Sequence, residues 1–190
     1  LFGEGEYIIN EYVSTTLGLR INVSDKFNSI AVPNPRFYVS VNPTQWLTIK
    51  GGVTSGVRIP PLSYLFEGWT INARNFATFG NKNLKPESSW NYELSFIADT
   101  KYINFILTGF YTDFSDKVAH IAVQQNQTQD GLTCNAQGAT RCTFYRNIDK
   151  SLATGAELGF KIKNIYGFSL DSSYGFTYTK TLKAEAESYL

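Results

Sequence analysis

One histidine, two cysteines and no methionine occur among the 190 residues of this chain, and these scarcities narrow its chemistry. A Ser/His/Asp relay built on His120 alone needs a matching nucleophile motif, and none is present. The 16 Asp and Glu are scattered at strand ends with no metal-ligand spacing, so neither enzyme activity nor a resident metal or cofactor is expected. Excess positive charge is missing too: 17 Lys and Arg leave a net charge of +1, which is no electrostatic footprint for nucleic acid. Mean hydropathy is −0.20, and no run approaches the roughly 18 apolar residues of a membrane helix. That last absence does not exclude a membrane, because a barrel strand places only every second residue in lipid. The chain opens at Leu1 without a Met, a basic n-region or an apolar h-region, which predicts a mature protein or a piece of a longer one.

Aromatics, by contrast, are abundant, with 14 Phe, 12 Tyr and 3 Trp, and they fall into a period of two. Trp90, Tyr92, Leu94, Phe96 and Ala98 alternate with Asn91, Glu93 and Ser95, so an extended chain here has one apolar and one polar face. The same pattern sorts Leu17, Leu19 and Ile21 from Gly18, Arg20 and Asn22, and Phe37, Val39 and Val41 from Arg36, Tyr38 and Ser40. It returns at Leu47–Val53, at Ile103–Tyr111 with Ile106 and Phe110 spoiling the polar side, at Ala156–Ile162 and at Phe168–Tyr178. Phe2 to Ile9 is extended with a mixed phase. Connections alternate in length: tight turns are expected near residues 10, 43, 100 and 164, and long loops at 24–34, 55–89 and 115–150. Val118–Val123 and Thr143–Arg146 have the composition to extend their flanking strands into the last loop. An aromatic sits by each tight turn (Tyr12, Trp46, Tyr102, Tyr166), as in an interfacial girdle. Charges keep to the polar faces, as they must if the apolar faces meet lipid, where one at midplane costs about 2–4 kcal/mol.

Several stretches then resemble one family. Gly80-Asn81-x-Asn83-Leu84-Lys85-Pro86-Glu87-Ser88 is similar to the signature that leads into a barrel strand of TonB-dependent outer-membrane receptors. Thr48–Pro61, Phe110–Val118 and Asn147–Gly159 resemble further segments of the same receptors, in the same order, and the likeness spans residues 13–180. It is nearest to the catecholate-siderophore and colicin I receptor branch. The resemblance implies an all-β fold: about 8 to 9 antiparallel transmembrane strands of a larger plugged barrel of about 22. It also implies a bacterial outer-membrane location with the long loops extracellular, outer-membrane lipid around the wall, and uptake of an iron complex energised by TonB. Colicins are among the partners it brings. On this reading residues 1–190 are a partial barrel domain, with the plug and remaining strands elsewhere, and would not fold autonomously because two sheet edges stay open.

Within loop 55–89, Arg58, Tyr64, Phe66, Trp69, Arg74, Phe76 and Phe79 combine rings with guanidinium groups, which suits a flat, anionic ferric catecholate. Loop-to-loop packing is the plainer use of the same rings. Lys82, Lys85, Arg141 and Arg146 are secondary candidates. His120 is either an axial ligand, in a haem receptor, or polar cover. Cys134 and Cys142 lack redox CxxC spacing, and a disulfide closing their loop is expected, stabilising it by about 2–3 kcal/mol in the chain-entropy model. Two other classes fit the alternation: a self-contained eight-stranded outer-membrane barrel acting as adhesin or anchor, and a soluble β-sandwich binding sugars with its aromatic loops.

Overall fold

A computed structural model describes residues 1–24, 30–66, 68–71, 75–129 and 131–181. The elements are β1 (Phe2–Asn10), β2 (Val13–Ser24), β3 (Ile30–Thr44), β4 (Leu47–Arg58), α1 (Leu62–Leu65), β5 (Trp69–Ile71), β6 (Phe76–Phe79), β7 (Glu87–Asp99), β8 (Ile103–Gln124), β9 (Thr128–Gln129), β10 (Leu132–Thr133), β11 (Arg141–Ile165) and β12 (Phe168–Thr181). Eight of the strands are nine residues or longer, in line with the expected eight to nine. The four short ones lie inside the stretches read as loops. The chain divides into two compact units, the first from Leu1–Val57, Ser89–Asp113 and Leu152–Lys180, the second built on Arg58–Ser88 and Phe114–Ser151.

The first unit is a sheet in the order β1-β2-β3-β4-β7-β8-β11-β12. Local chemistry sets its tight turns. Asn10 Oδ1 accepts from the amides of Tyr12 and Val13, at 2.9 Å each. Thr100 Oγ1 bonds both the amide and the carbonyl of Ile103. Asn164 near the end of β11 and Tyr166 and Gly167 just after it take positive φ, a demand that Asn and Gly meet readily. The turn aromatics share one end of the sheet, because Tyr12, Trp46 and Tyr102 each accept a backbone bond from the neighbouring hairpin, through Asn42, Asp99 and Lys163. All four rings at these turns are exposed.

The two faces of this sheet are inverted relative to a water-soluble protein. Leu17, Leu94 and Phe176 are 58%, 47% and 57% exposed, whereas Tyr38 and Ser95 on the polar face are 6% and 8% exposed. Polar side chains pair with one another there: Ser95 with Thr108 at 2.8 Å, Thr112 with Asn91 at 2.7 Å, and Lys161 with Asp171 at 3.1 Å. Glu4 reaches Arg36 at 2.9 Å across β2, and Gly18 makes the room, since a Cβ there would lie 2.9 Å from Arg36 Cγ. The register that pairs Glu4 with Gly18 also resolves the mixed phase of β1: Glu4 and Glu6 take the polar face, Gly5 and Tyr7 the apolar one. The Tyr38 ring lies across Gly52, its hydroxyl 2.9 Å from that of Thr54, with the Lys50 ammonium 4.8 Å from the ring centre.

The first long loop differs from the sequence reading. It was expected over 24–34, ended by prolines, yet β2 and β3 stay in register as far as Ser24↔Ile30, with Pro33 opposite Ile21 and Pro35 opposite Leu19. The Asn42 amide donates to Tyr12 O, next to β2, so even-numbered amides of β3 face β2 and odd-numbered ones face β4. Pairing with β4 stops at Arg36↔Thr54. The donors that Pro33 and Pro35 lack would therefore point where no β4 partner is in register, which is how a strand tolerates proline.

Two outcomes follow from these faces. In lipid bilayers, a nitroxide at Leu158 of the full-length protein is expected to be relaxed by oxygen, and one at Glu157 by a water-soluble nickel chelate; equal responses at both sites overturn the assignment. Gly52→Ala would place a Cβ 2.3 Å from Tyr38 Cδ1 and 2.5 Å from Phe37 O, whereas nothing lies within 4 Å of a Cβ at Gly109. Unfolding in denaturant should show a loss of about 1–3 kcal/mol for Gly52→Ala and under about 0.5 for Gly109→Ala.

Candidate functional site

The two long excursions come together in the second unit. Strand β6 runs parallel to the start of β11, from Arg141↔Phe76 to Phe144↔Phe79, and β5 adds antiparallel to β6. Their small core consists of Ala77, Ile121, Val123, Cys134, Ala136, Ala139 and Cys142, with Phe79, Leu132 and Phe144 packed against it. Cys134 and Cys142 form the expected disulfide, Cα atoms 5.3 Å apart, and both are fully buried. The extensions foreseen at Val118–Val123 and Thr143–Arg146 are present as parts of β8 and β11.

Beside this core lies a cavity of about 80 Å³, walled by Arg58, Pro60, Pro61, Tyr64, Glu87, Val118, His120 and Tyr145. Pro60 and Pro61 end β4 and lead into the single helical turn α1, where the Tyr64 amide bonds Pro61 O at 3.0 Å. The rings of Tyr64 and Tyr145 stack with centroids 4.0 Å apart and planes 15° apart. Glu87 is fixed by the Val118 amide at 2.7 Å and meets Arg58 more loosely at 3.4 Å. Its side chain is 15% exposed and that of Arg58 71%, so most of the guanidinium faces solvent. Such an exposed pair adds little stability, at most about 1 kcal/mol. Chemically, the wall offers a guanidinium, an imidazole and a stacked phenol pair, donors and π-faces suited to an anionic aromatic group.

The residues expected at a ligand site are not all gathered here. Arg58 and Tyr64 are, and His120 joins them. Phe66 is exposed, its ring against Gly68 and its backbone against Gly80, where a Cβ would lie 2.2 Å from Phe66 O. Phe79 stacks on Phe144 at 4.7 Å as part of the core packing, and Phe76 is half-buried opposite Arg141 in register. For Trp69 the backbone alone is placed, opposite Phe79, and Arg74 lies outside the described residues. Tyr145 and Glu87 were not anticipated as cavity walls. Glu87 belongs to the 80–88 signature, but nothing in its local spacing announced a partner near Val118.

A family model described as "TonB dependent receptor-like, beta-barrel" matches residues 1–189. The iron-regulated outer membrane virulence protein of Vibrio cholerae is 33% identical over 180 residues, covering 94% of this chain and 27% of the relative. A probable TonB-dependent siderophore receptor, PirA of Acinetobacter baumannii, is 28% identical over 168 residues, covering 78% of this chain and 22% of its own length. Among solved structures, the siderophore receptor PirA of Pseudomonas aeruginosa superposes with a TM-score of 0.78 at 19% identity, covering 95% of this chain and 34% of that one. The chain thus spans about a quarter of the length of the curated relatives it matches.

Because the disulfide lies in the core of the second unit, replacing both Cys134 and Cys142 by Ser should destabilise this region by about 2–3 kcal/mol. Hydrogen exchange read over residues 132–144 is the measurement: faster exchange there, with the Leu94–Phe96 amides unchanged, is the expected result.

Proposed function

This chain belongs to the TonB-dependent receptor-like β-barrel family, and on that premise we propose that it forms part of the wall of an outer-membrane receptor importing an iron complex, with a ferric catecholate siderophore as cargo. The inverted faces of the sheet support a wall with lipid on the Leu17–Leu94–Phe176 side and water on the Tyr38–Ser95 side. Residues 1–190 are then one section of a larger barrel, its long excursions extracellular. Energy would come from the inner-membrane TonB system acting on parts of the receptor beyond this section.

The observation that carries the cargo reading is the cavity wall of Arg58, Tyr64, Tyr145 and His120. At about 80 Å³ it is well below the ~300–1,000 Å³ of a pocket that encloses a small molecule. It therefore acts as one wall of a wider site. Catecholate rings would stack on the phenols while the solvent-facing guanidinium meets their negative charge. Since His120 shares this wall, haem is the second cargo to test.

Growth of a receptor-deletion strain on a panel of iron sources decides between them. Loss of growth on ferric catecholates, restored by the intact gene, is expected; loss on haem alone overturns the catecholate assignment. Arg58→Ala should raise the half-saturating catecholate concentration for uptake about tenfold, from a lost charge-assisted contact of roughly 1.5 kcal/mol.

A further inference from the structure

Two stretches that carry the family resemblance, 80–88 and 147–159, meet at a single side chain. Asn147 Oδ1 accepts from the Lys85 amide at 2.8 Å, and Asn147 Nδ2 donates to Lys85 O at 3.0 Å and also to Asp116 O. The arrangement is reciprocal, since Asn81 Nδ2 donates to Tyr145 O at 2.9 Å. Segment 76–85 is thus tied to β11 by backbone pairing over 76–79, then by the side-chain amides of Asn81 and of Asn147, the latter on the Lys85 backbone.

Chemistry explains why an asparagine stands there. Lys85 lies between β6 and β7, just ahead of Pro86, so its backbone amide and carbonyl have no ladder to join and need side-chain partners. A carboxamide carries a donor and an acceptor side by side and can stand in for a peptide group. Aspartate would keep the acceptor and lose both donations, turning a charge toward two carbonyl oxygens. Asp116 adopts φ 56°, a left-handed conformation uncommon outside glycine, and it is this residue's carbonyl that Asn147 binds.

The three anchor points lie next to the cavity. Glu87 is two residues beyond Lys85, Val118 two beyond Asp116, and Tyr145 two before Asn147, yet Asn147 itself is not part of the cavity lining. We propose that Asn147 is a positioning residue: one carboxamide fixes the mutual placement of the three backbone segments that carry Glu87, Val118–His120 and Tyr145, and thereby sets the affinity of this wall for its cargo. The cargo part rests on the catecholate reading above; the clamp itself does not.

The test uses the full-length receptor with Asn147→Ala and Asn147→Asp, and Lys163→Ala as a control whose ion pair with Asp99 lies at a tight turn. Iron uptake from a radiolabelled ferric catecholate should show a half-saturating concentration raised about tenfold in both Asn147 variants, with the maximal rate unchanged and the control like wild type. Exchange of the Val118 amide, which is bonded by Glu87 and not by Asn147, should accelerate in parallel. Unchanged Val118 exchange overturns the clamp. Faster exchange with unaltered half-saturation overturns the positioning role. Should wild type import no catecholate, the cargo reading falls, and the Val118 amide alone still decides the clamp. If Asn147→Ala does not insert, Asn81→Ala removes one bond of the same device and should shift both readouts the same way by about threefold.

Discussion

Every backbone amide and carbonyl in the first unit has to be satisfied by a neighbouring strand, while the side chains split between two solvents. In hydrocarbon an unmet peptide group costs several kcal/mol, so a sheet wall survives there only with complete ladders. The apolar face then needs no partner of its own, and Leu17, Leu94 and Phe176 stand bare. Order comes instead from the polar face, where Glu4–Arg36, Tyr38–Thr54, Ser95–Thr108 and Lys161–Asp171 tie strand to strand. Glycines at 18 and 52 are small because the side chains of Arg36 and Tyr38 lie over them.

The second unit follows the opposite rule and resembles a small water-soluble domain. Its core of alanines, Ile121 and Val123 closes around a disulfide, and part of the aromatic content of the long excursions is spent on that packing. Phe79 illustrates the division: its ring lies on Phe144, while Tyr64 and Arg58 reach the cavity. Rings in such loops thus serve two purposes, and only a contact partner distinguishes them.

Much of the wall was legible in the order of residues, because period two is a local signal and the faces of β7, β11 and β12 can be read from a dozen residues each. The tight turns were legible for the same reason, through Asn10, Thr100 and Asn164, with β3 and β11 each running a residue or two past the expected turn. What stayed hidden depends on distant partners. No pattern within 76–79 announces its parallel pairing with 141–144, some 65 positions away, and no rule predicts that Glu87 will bind the Val118 amide. Pro33 and Pro35 were read as the end of a loop because the reach of β4 beside them cannot be known from β3 alone. Asn147 looked like one letter of a motif, and its three bonds reach two residues, Asp116 and Lys85, 31 and 62 positions away.

Those same prolines bear on how the chain avoids its own kind. A strand that extends past its neighbour is a template on which a foreign strand can zip, the usual start of aggregation for a β protein awaiting assembly. Over this stretch of β3 the outward side lacks hydrogen-bond donors at two alternate positions, so a stray strand laid along it would find only acceptors there. This shoulder of β3 is therefore a poor template for a foreign strand.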